Sequence, residues 1–359
     1  MVQRRSEQLD FVDYLSGPGS SRRDRFFDAV NLVVDWGPIE AALAVIHNSK
    51  MGRPSIPPLL LFKILLIQRW YGLGDPAAED ALNDSRAFAR FVGMSLGQAA
   101  PHYSSISRFR TELIRRGLME PLIQQLMAQI EAKGLVLKQG TLMDATFVPS
   151  AARAPSAPRA RNAPTPKSQA APDASVQPEA SSQPDEAIQA QAEPEDPFTA
   201  GKRSRVDPDA RWAKKGRQAF FGYKLHIAAD QGRRFVRAHR LTPANVNDCT
   251  VGPDLVQPDG GAHYGDMGYP SQPLRDELAK HRLPDGIMQL GTKHHPLRPA
   301  ERRRNRILAA IRSQVEGVFG EMKRRLGLHR ARYCGLAKVQ LECDLTVFAF
   351  NLKTLALAT

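Results

Sequence analysis

A chain of 359 residues with 42% hydrophobic content can bury a sizeable core and is long enough for two domains. Its 50 Lys and Arg against 37 Asp and Glu leave a formal charge of +13, which attracts polyanions, nucleic acid before an anionic membrane. Cys249, Cys334 and Cys343 form no CxxC pair and no His-spaced zinc pattern, which argues against a disulfide scaffold or a zinc module and suits a reducing cytoplasm.

The opening segment, Met1 to Tyr14, is charged and lacks an apolar stretch, so it does not read as a signal peptide. The strongest apolar run, Leu59 to Ile67, is interrupted by Lys63 and is too short to span a bilayer; it reads as a buried helix. No membrane contact is expected. Residues 1–133 read as helical, with short helices over Pro76–Arg90 and Ser104–Leu118, the latter capped by Ser104-Ser105. Met119 to Lys133 continues an amphipathic pattern that Gly134 ends.

The periodicity then changes. Gly140 to Val148 is short, β-prone and followed by Pro149, as a strand would be. Residues 150–200 collapse into Ala, Pro, Ser, Gln and Glu, a composition that cannot offset its ordering entropy and predicts a disordered insertion. Order is expected to resume near Trp212. Phe220–Ala229 and Arg234–Leu241 read as strands joined by the turn Asp230-Gln-Gly232, Ala262–Tyr264 as a strand ending in Gly265-Asp-Met-Gly268, Ser271–His281 as a helix and Gly286–Leu290 as a strand. A single basic helix is expected from Arg303 to Leu326. The pattern predicts an α/β layer on a mixed sheet flanked by helices, behind an all-helical N-terminal domain.

Three acids stand out by position: Asp144 in the first strand, Asp266 at the end of a later one, and Glu316 in the basic helix. Phosphodiester cleavage with two Mg²⁺ ions needs hard oxygen ligands on rigid elements, which these could supply. At 100° per residue, Ile307, Leu308, Ile311, Val315, Val318, Phe319, Met322 and Leu326 form an apolar stripe, with Arg312, Glu316 and Lys323 along one edge. Each feature also has a plain structural reading. Arg312 and Glu316 make an i, i+4 ion pair on a solvated helix, and the two aspartates serve as strand-end and turn residues. The residues alone leave both readings open.

Taken together, Leu142-Met-Asp-Ala-Thr-Phe-Val148, Phe221-Gly-Tyr-Lys-Leu-His226, Gly265-Asp-Met-Gly-Tyr269 and Val315-Glu-Gly-Val-Phe-Gly-Glu-Met-Lys323 resemble bacterial insertion-sequence transposases of the DDE type. They look most like the insertion-sequence-five group, related to the insertion-sequence-four group. Gly52-Arg-Pro54, Gln68-Arg-Trp-Tyr71, the stretch from Arg86 to Phe91 and Ser107-Arg-Phe-Arg110 are similar to that group's N-terminal region. Thr242-Pro-Ala-Asn245 with Asp248, Arg332-Tyr333 and Asn351-Leu352-Lys353 resemble its later landmarks.

The resemblance implies a ribonuclease H-like catalytic domain built from residues 134–149 and 201–359, and a helical domain over residues 1–133 that binds DNA ends. It implies Asp144, Asp266 and Glu316 as catalytic acids and ligands of two Mg²⁺ ions, with Mn²⁺ able to substitute. It also implies Arg312 and Lys323 as phosphate-binding partners; where the group carries a tyrosine three residues before the arginine, this chain has Ala309. Lys224, His226, Arg108 and Arg110 are further candidate DNA contacts, each equally readable as part of a basic solvated or packing surface. Double-stranded DNA is the expected partner, both the element's inverted repeats and the target, with a homodimer bringing two ends together at the nucleoid.

Overall fold

The computed structural model describes residues 21–46, 55–95, 97–155, 204–216, 218–292 and 294–358. Gly52-Arg-Pro54 and most of the predicted insertion lie outside the described residues.

The N-terminal part is helical as expected. α1 (Arg22–Val33), α2 (Gly37–Leu43), α3 (Pro58–Tyr71), α4 (Asp75–Asp84), α5 (Arg86–Val92), α6 (Tyr103–Arg116) and α7 (Met119–Ala132) follow in order. The single predicted helix over Pro76–Arg90 is thus two. Ser85 ends α4 and caps α5, its hydroxyl accepting from Phe88 N, so the serine that breaks one helix starts the next. α6 begins one residue earlier than expected, because the His102 ring rather than Ser104-Ser105 accepts from the free Ser104 amide. α3 is buried on almost every side from Leu60 to Arg69, which suits the core position expected of its apolar run.

A six-stranded mixed sheet follows: β1 (Gly140–Pro149), β2 (Arg211–Lys215), β3 (Gln218–Asp230), β4 (Val236–Pro243), β5 (Ala262–Gly265) and β6 (Asp285–Ile287). β3 pairs antiparallel with β1, β2 and β4, whereas β5 runs parallel to β1, and β6 parallel to β5. The sheet therefore reads β4-β3-β1-β5-β6, with β2 extending the β4 side. Short α8 (Asp248–Val251) and α9 (Gln272–Lys280) lie between strands in sequence.

The predicted single helix from Arg303 to Leu326 is two, α10 (Pro299–Arg312) and α11 (Gln314–Arg325). The break has a local cause. Ser313 Oγ donates to Ala310 O at 2.7 Å and Glu316 N donates to Ser313 O at 3.2 Å, tightening one turn. The expected stripe breaks with it: Val315, Val318, Phe319, Met322 and Leu326 are buried under the sheet, whereas Ile307 is exposed.

α12 (Leu336–Ala358) was not legible as a helix in the sequence and closes the fold. Its Leu341, Leu345, Phe348, Leu352 and Leu355 complete the core of the N-terminal helices, while Val339, Cys343, Val347 and Phe350 pack in the core beneath the sheet with α11. Asn351 fastens it to β4: its Oδ1 accepts from Val236 N at 2.9 Å and its Nδ2 donates to Val236 O at 2.8 Å. A third, smaller core of Met143, Val251, Leu255, Tyr269, Leu274, Leu278 and Ile287 lies on the opposite sheet face, under α9. Among the described residues, no single helix is long and apolar enough to cross a membrane.

Candidate active site

The sheet register brings two of the predicted acids together. β1 and β5 run parallel with Leu142 opposite Tyr264, and two residues further along each chain stand Asp144 and Asp266. Asp144 alternates with Met143 and so shares the sheet face of Leu142, which α11 covers, while Asp266 stands one residue past the end of β5, close enough for its charge to act on Asp144. Asp144 is mostly buried, and burial raises its carboxyl to about 6. Arg312 and the Ala145 N–H oppose that rise, while the charge of Asp266 adds to it.

Glu316 comes from the first turn of α11, which packs on β1. It is the exposed member, with 66% of its side chain open against 15% for Asp144. Arg312 lies between them. Its Nη1 donates to Asp144 Oδ2 at 2.7 Å and its Nη2 stands 3.6 Å from Glu316 Oε1, while its buried Nε has no partner among the described residues. The break at Ser313 separates the arginine's helix from the glutamate's, yet their four-residue spacing still keeps the two together. Lys323, half-buried near the end of α11, has its ammonium pushed down by burial and by nearby Lys215. The charge of Lys215 also acts on Asp144.

Asp266 closes a tight turn, its Oδ1 accepting from Gly268 N at 2.9 Å. A Cβ on Gly268 would stand 3.1 Å from that Oδ1 and 3.1 Å from Asp248 Oδ2, so glycine lets two carboxylates close on the turn. Beneath them Tyr269 is fully buried and its hydroxyl has no partner among the described residues. Burial raises that hydroxyl well above the usual phenol range, and the charges of Asp248, Asp144 and Asp266 raise it further.

Among the described residues no three acidic, histidine or cysteine side chains form a closed metal cluster. The donor chemistry nevertheless fits a hard divalent cation. Such an ion takes one or two carboxylates and fills its remaining positions with water and substrate phosphate, and Asp266, whose Oδ1 alone is bonded among the described residues, and the exposed Glu316 are carboxylates of that kind.

A family model described as a transposase DDE domain matches residues 137–352, more than half of the chain, and one described as a transposase domain (DUF772) matches residues 19–112. The chain belongs to the DDE transposases. No solved structure matches it. The transposase's mixed sheet is the ribonuclease H-like core of that domain, with β2, β3 and β4 on one side of β1 and the parallel strands β5 and β6 on the other. Enzymes of this family act on DNA and use divalent metal ions.

Several of the predicted DNA contacts of this transposase need correction. His226 is fully buried, its Nε2 3.0 Å from Thr242 Oγ1, and burial with Lys224 and Arg240 lowers it to about 3, so it is neutral and turned inward. Lys224 donates to Asp248 Oδ1 and to Val246 O, both at 2.8 Å, and so is engaged inside the protein. Arg110 is buried in a two-pronged ion pair with Asp75, against the Tyr333 ring, and cannot face a phosphate as it stands. Arg108 is exposed, held along α6 by bonds to Ser104. In the basic tract that opens α10, Arg304 donates to the Ile287 and Asp285 carbonyls and so ties down β6.

Sequence reasoning missed the position of Asp248 beside Asp266, the buried Tyr269 hydroxyl and the hold of Arg312 on Asp144. Asp248 stood in the sequence only as a landmark after Thr242-Pro-Ala-Asn245; its signal was the strand–turn connection that returns it to the Asp266 turn.

Proposed function

We propose that the chain binds the ends of an insertion sequence, of the insertion-sequence-five type, and catalyses Mg²⁺-dependent DNA cleavage and strand transfer. The observation that supports this is the parallel register of β1 and β5, which brings Asp144 and Asp266 to the same end of two neighbouring strands, with the helix that carries Glu316 packed on β1. These three acids would hold the Mg²⁺ ions. Bound there, the metal supplies Lewis-acid activation of the attacking oxygen and neutralises charge on the leaving one.

The protein's own residues do the positioning. Arg312 is bonded to Asp144, and Lys323, with its half-buried ammonium, would close the other side of the acidic row. Both are placed to hold a phosphate against the acids. Cleavage and joining are both in-line displacements at phosphorus, so one set of acids serves both. The N-terminal helices are the proposed DNA-end binding domain, with Arg108 on the open face of α6. Two ends must meet for joining, which calls for a homodimer on DNA, and the substrate places the enzyme at the nucleoid.

The test is cleavage of a linear DNA carrying the element's own ends, with Mg²⁺ or with EDTA, by wild type and by Glu316→Ala. Metal-dependent nicks lost in the variant, together with joined products, support the proposal. Nicks without joined products make the chain a nuclease. Binding without cleavage makes it a DNA-binding protein.

A further inference from the structure

We propose that the cavity between α3, α6 and the start of α12 is a phosphate-binding pocket, in which Arg332, Lys338 and the Ser107 hydroxyl take the phosphate of a nucleotide. That phosphate belongs either to the backbone of the bound DNA end, which rests on the DNA-binding reading above, or to a free nucleotide, which does not.

The cavity measures about 120 Å³, several times the roughly 10–15 Å³ that one water needs. Leu65, Arg69, Arg110, Leu341 and Glu342 form its buried floor. Ser107, Thr111, Arg332 and Lys338 form an exposed rim, so the cavity opens to solvent. It lies where the two family matches meet in space: Leu65 to Thr111 come from the first and Arg332 to Glu342 from the second.

Charge is the first observation. Four cations line the cavity against one carboxylate, Glu342. Arg69 Nη1 takes that carboxylate at 3.0 Å, and Arg110 is engaged by Asp75, which lies outside the lining. Arg332 and Lys338 make no ion pair among the described residues, so two positive charges stand uncompensated over a partly apolar floor.

The second is the way Arg332 is held. Its main-chain N donates to Glu342 Oε2 and its Nη1 to Leu73 O, both at 2.9 Å, while its Nη2 has no hydrogen bond among the described residues. Burial and the charge of Arg69 push its guanidinium down. An anion in the cavity removes that repulsion.

The third is the donor set. Ser107 and Thr111 stand one turn apart on α6, and the Ser107 hydroxyl has no partner among the described residues. A phosphate has three accepting oxygens, and a hydroxyl, a guanidinium N–H and an ammonium are its complement. Arg108, the residue after Ser107, is exposed on the same helix, which extends the cationic surface from the pocket along α6.

The test is binding of end DNA to the full chain in EDTA, with single methylphosphonates, which each remove one phosphate charge, placed in turn along both strands. Wild type is compared with Lys338→Glu and with Ser107→Ala, both at exposed positions, so unchanged unfolding temperatures are expected. One position is expected to weaken wild type about tenfold and Lys338→Glu less than about twofold, with Ser107→Ala between them. In the second arm, ATP without metal is added in place of DNA; a free-nucleotide pocket raises the unfolding temperature of wild type and not that of Lys338→Glu. A response in either arm supports the pocket and names the source of the phosphate. No such position and no ATP response overturn it, while metal-dependent cleavage by wild type leaves the proposed reaction standing. Wild type that binds no end DNA overturns the proposed reaction, and the ATP arm alone then decides the pocket.

Discussion

Arg312 Nη1 donates to Asp144 Oδ2 at 2.7 Å, and among the described residues it is the only ion-pair partner that buried Asp144 has. Arg312→Gln therefore leaves a poorly solvated anion on β1. We expect a loss of roughly 2–3 kcal/mol at pH 7, below the range for a fully buried pair because 18% of the arginine side chain is exposed. The sign with pH follows from the raised carboxyl, which is neutral in the folded protein below about 6. The deficit should shrink toward pH 5, where no unpaired charge remains. Urea melts at both pH values decide it; an equal loss at each would mean that the pair is not the cause. Cleavage should fall about 10²–10³-fold.

Lys323 offers the complementary case, a charge that makes no ion pair among the described residues. Lys323→Ala is expected to leave the unfolding temperature within a degree or two. Binding of end DNA should weaken, and the slope of log affinity against log salt should drop by about one if a single phosphate contact is removed. A salt titration of wild type and variant gives both numbers. An unchanged slope would remove Lys323 from the DNA interface.

His263 is buried between two backbone groups: its Nε2 accepts from Gln257 N at 2.9 Å and its Nδ1 donates to Gly261 O at 3.0 Å, which requires the neutral ring. Burial lowers it from the ordinary imidazole value of 6.5 to about 4. The unfolded chain takes up this proton as pH falls below 6.5 and the folded one does not until about 4, so the group's stabilisation is lost across that window. The loss is roughly 3 kcal/mol. Asp144 titrates with the opposite sign between about 4 and 6 and offsets part of it. His263→Gln should flatten the fall in unfolding free energy between pH 6.5 and 4; a slope as steep as that of wild type would assign the effect elsewhere.

Asn351 bonds both the N–H and the C=O of Val236. Asn351→Leu is close in size but strands two buried backbone groups, at a cost of about 2–4 kcal/mol. Amide exchange at β4 should speed up before that at β1, and uniform protection across the sheet would contradict the clamp.

Much of this was legible because the sheet is local in sequence. Asp144 and Asp266 could be singled out as candidates because strand, turn and acid coincide in short segments, and Glu316 because of its spacing to Arg312 and Lys323, across what is a break between α10 and α11. That break was not legible, since Ser313 fits a helix by propensity and acts only through its bond to Ala310 O. α12 escaped notice for the opposite reason: its apolar residues run round the whole helix with Lys338, Glu342, Asp344 and Lys353 scattered among them, and periodicity identifies a helix only when the polar residues gather on one face. Arg110 and His226 looked like DNA contacts because charge is visible in a sequence and burial is not. Their partners, Asp75 and Thr242, are 35 and 16 residues away.

The position of α12 along the chain has a consequence for biosynthesis. The N-terminal helices are translated first, yet their core lacks Leu341, Leu345, Phe348, Leu352 and Leu355 until more than three hundred residues have been made. The same late segment seats Phe350 and Val347 under the catalytic sheet. A nascent or prematurely stopped chain therefore exposes two apolar surfaces at once, which invites proteolysis before any DNA can be cut. Completion of translation and competence for recombination are coupled by one helix.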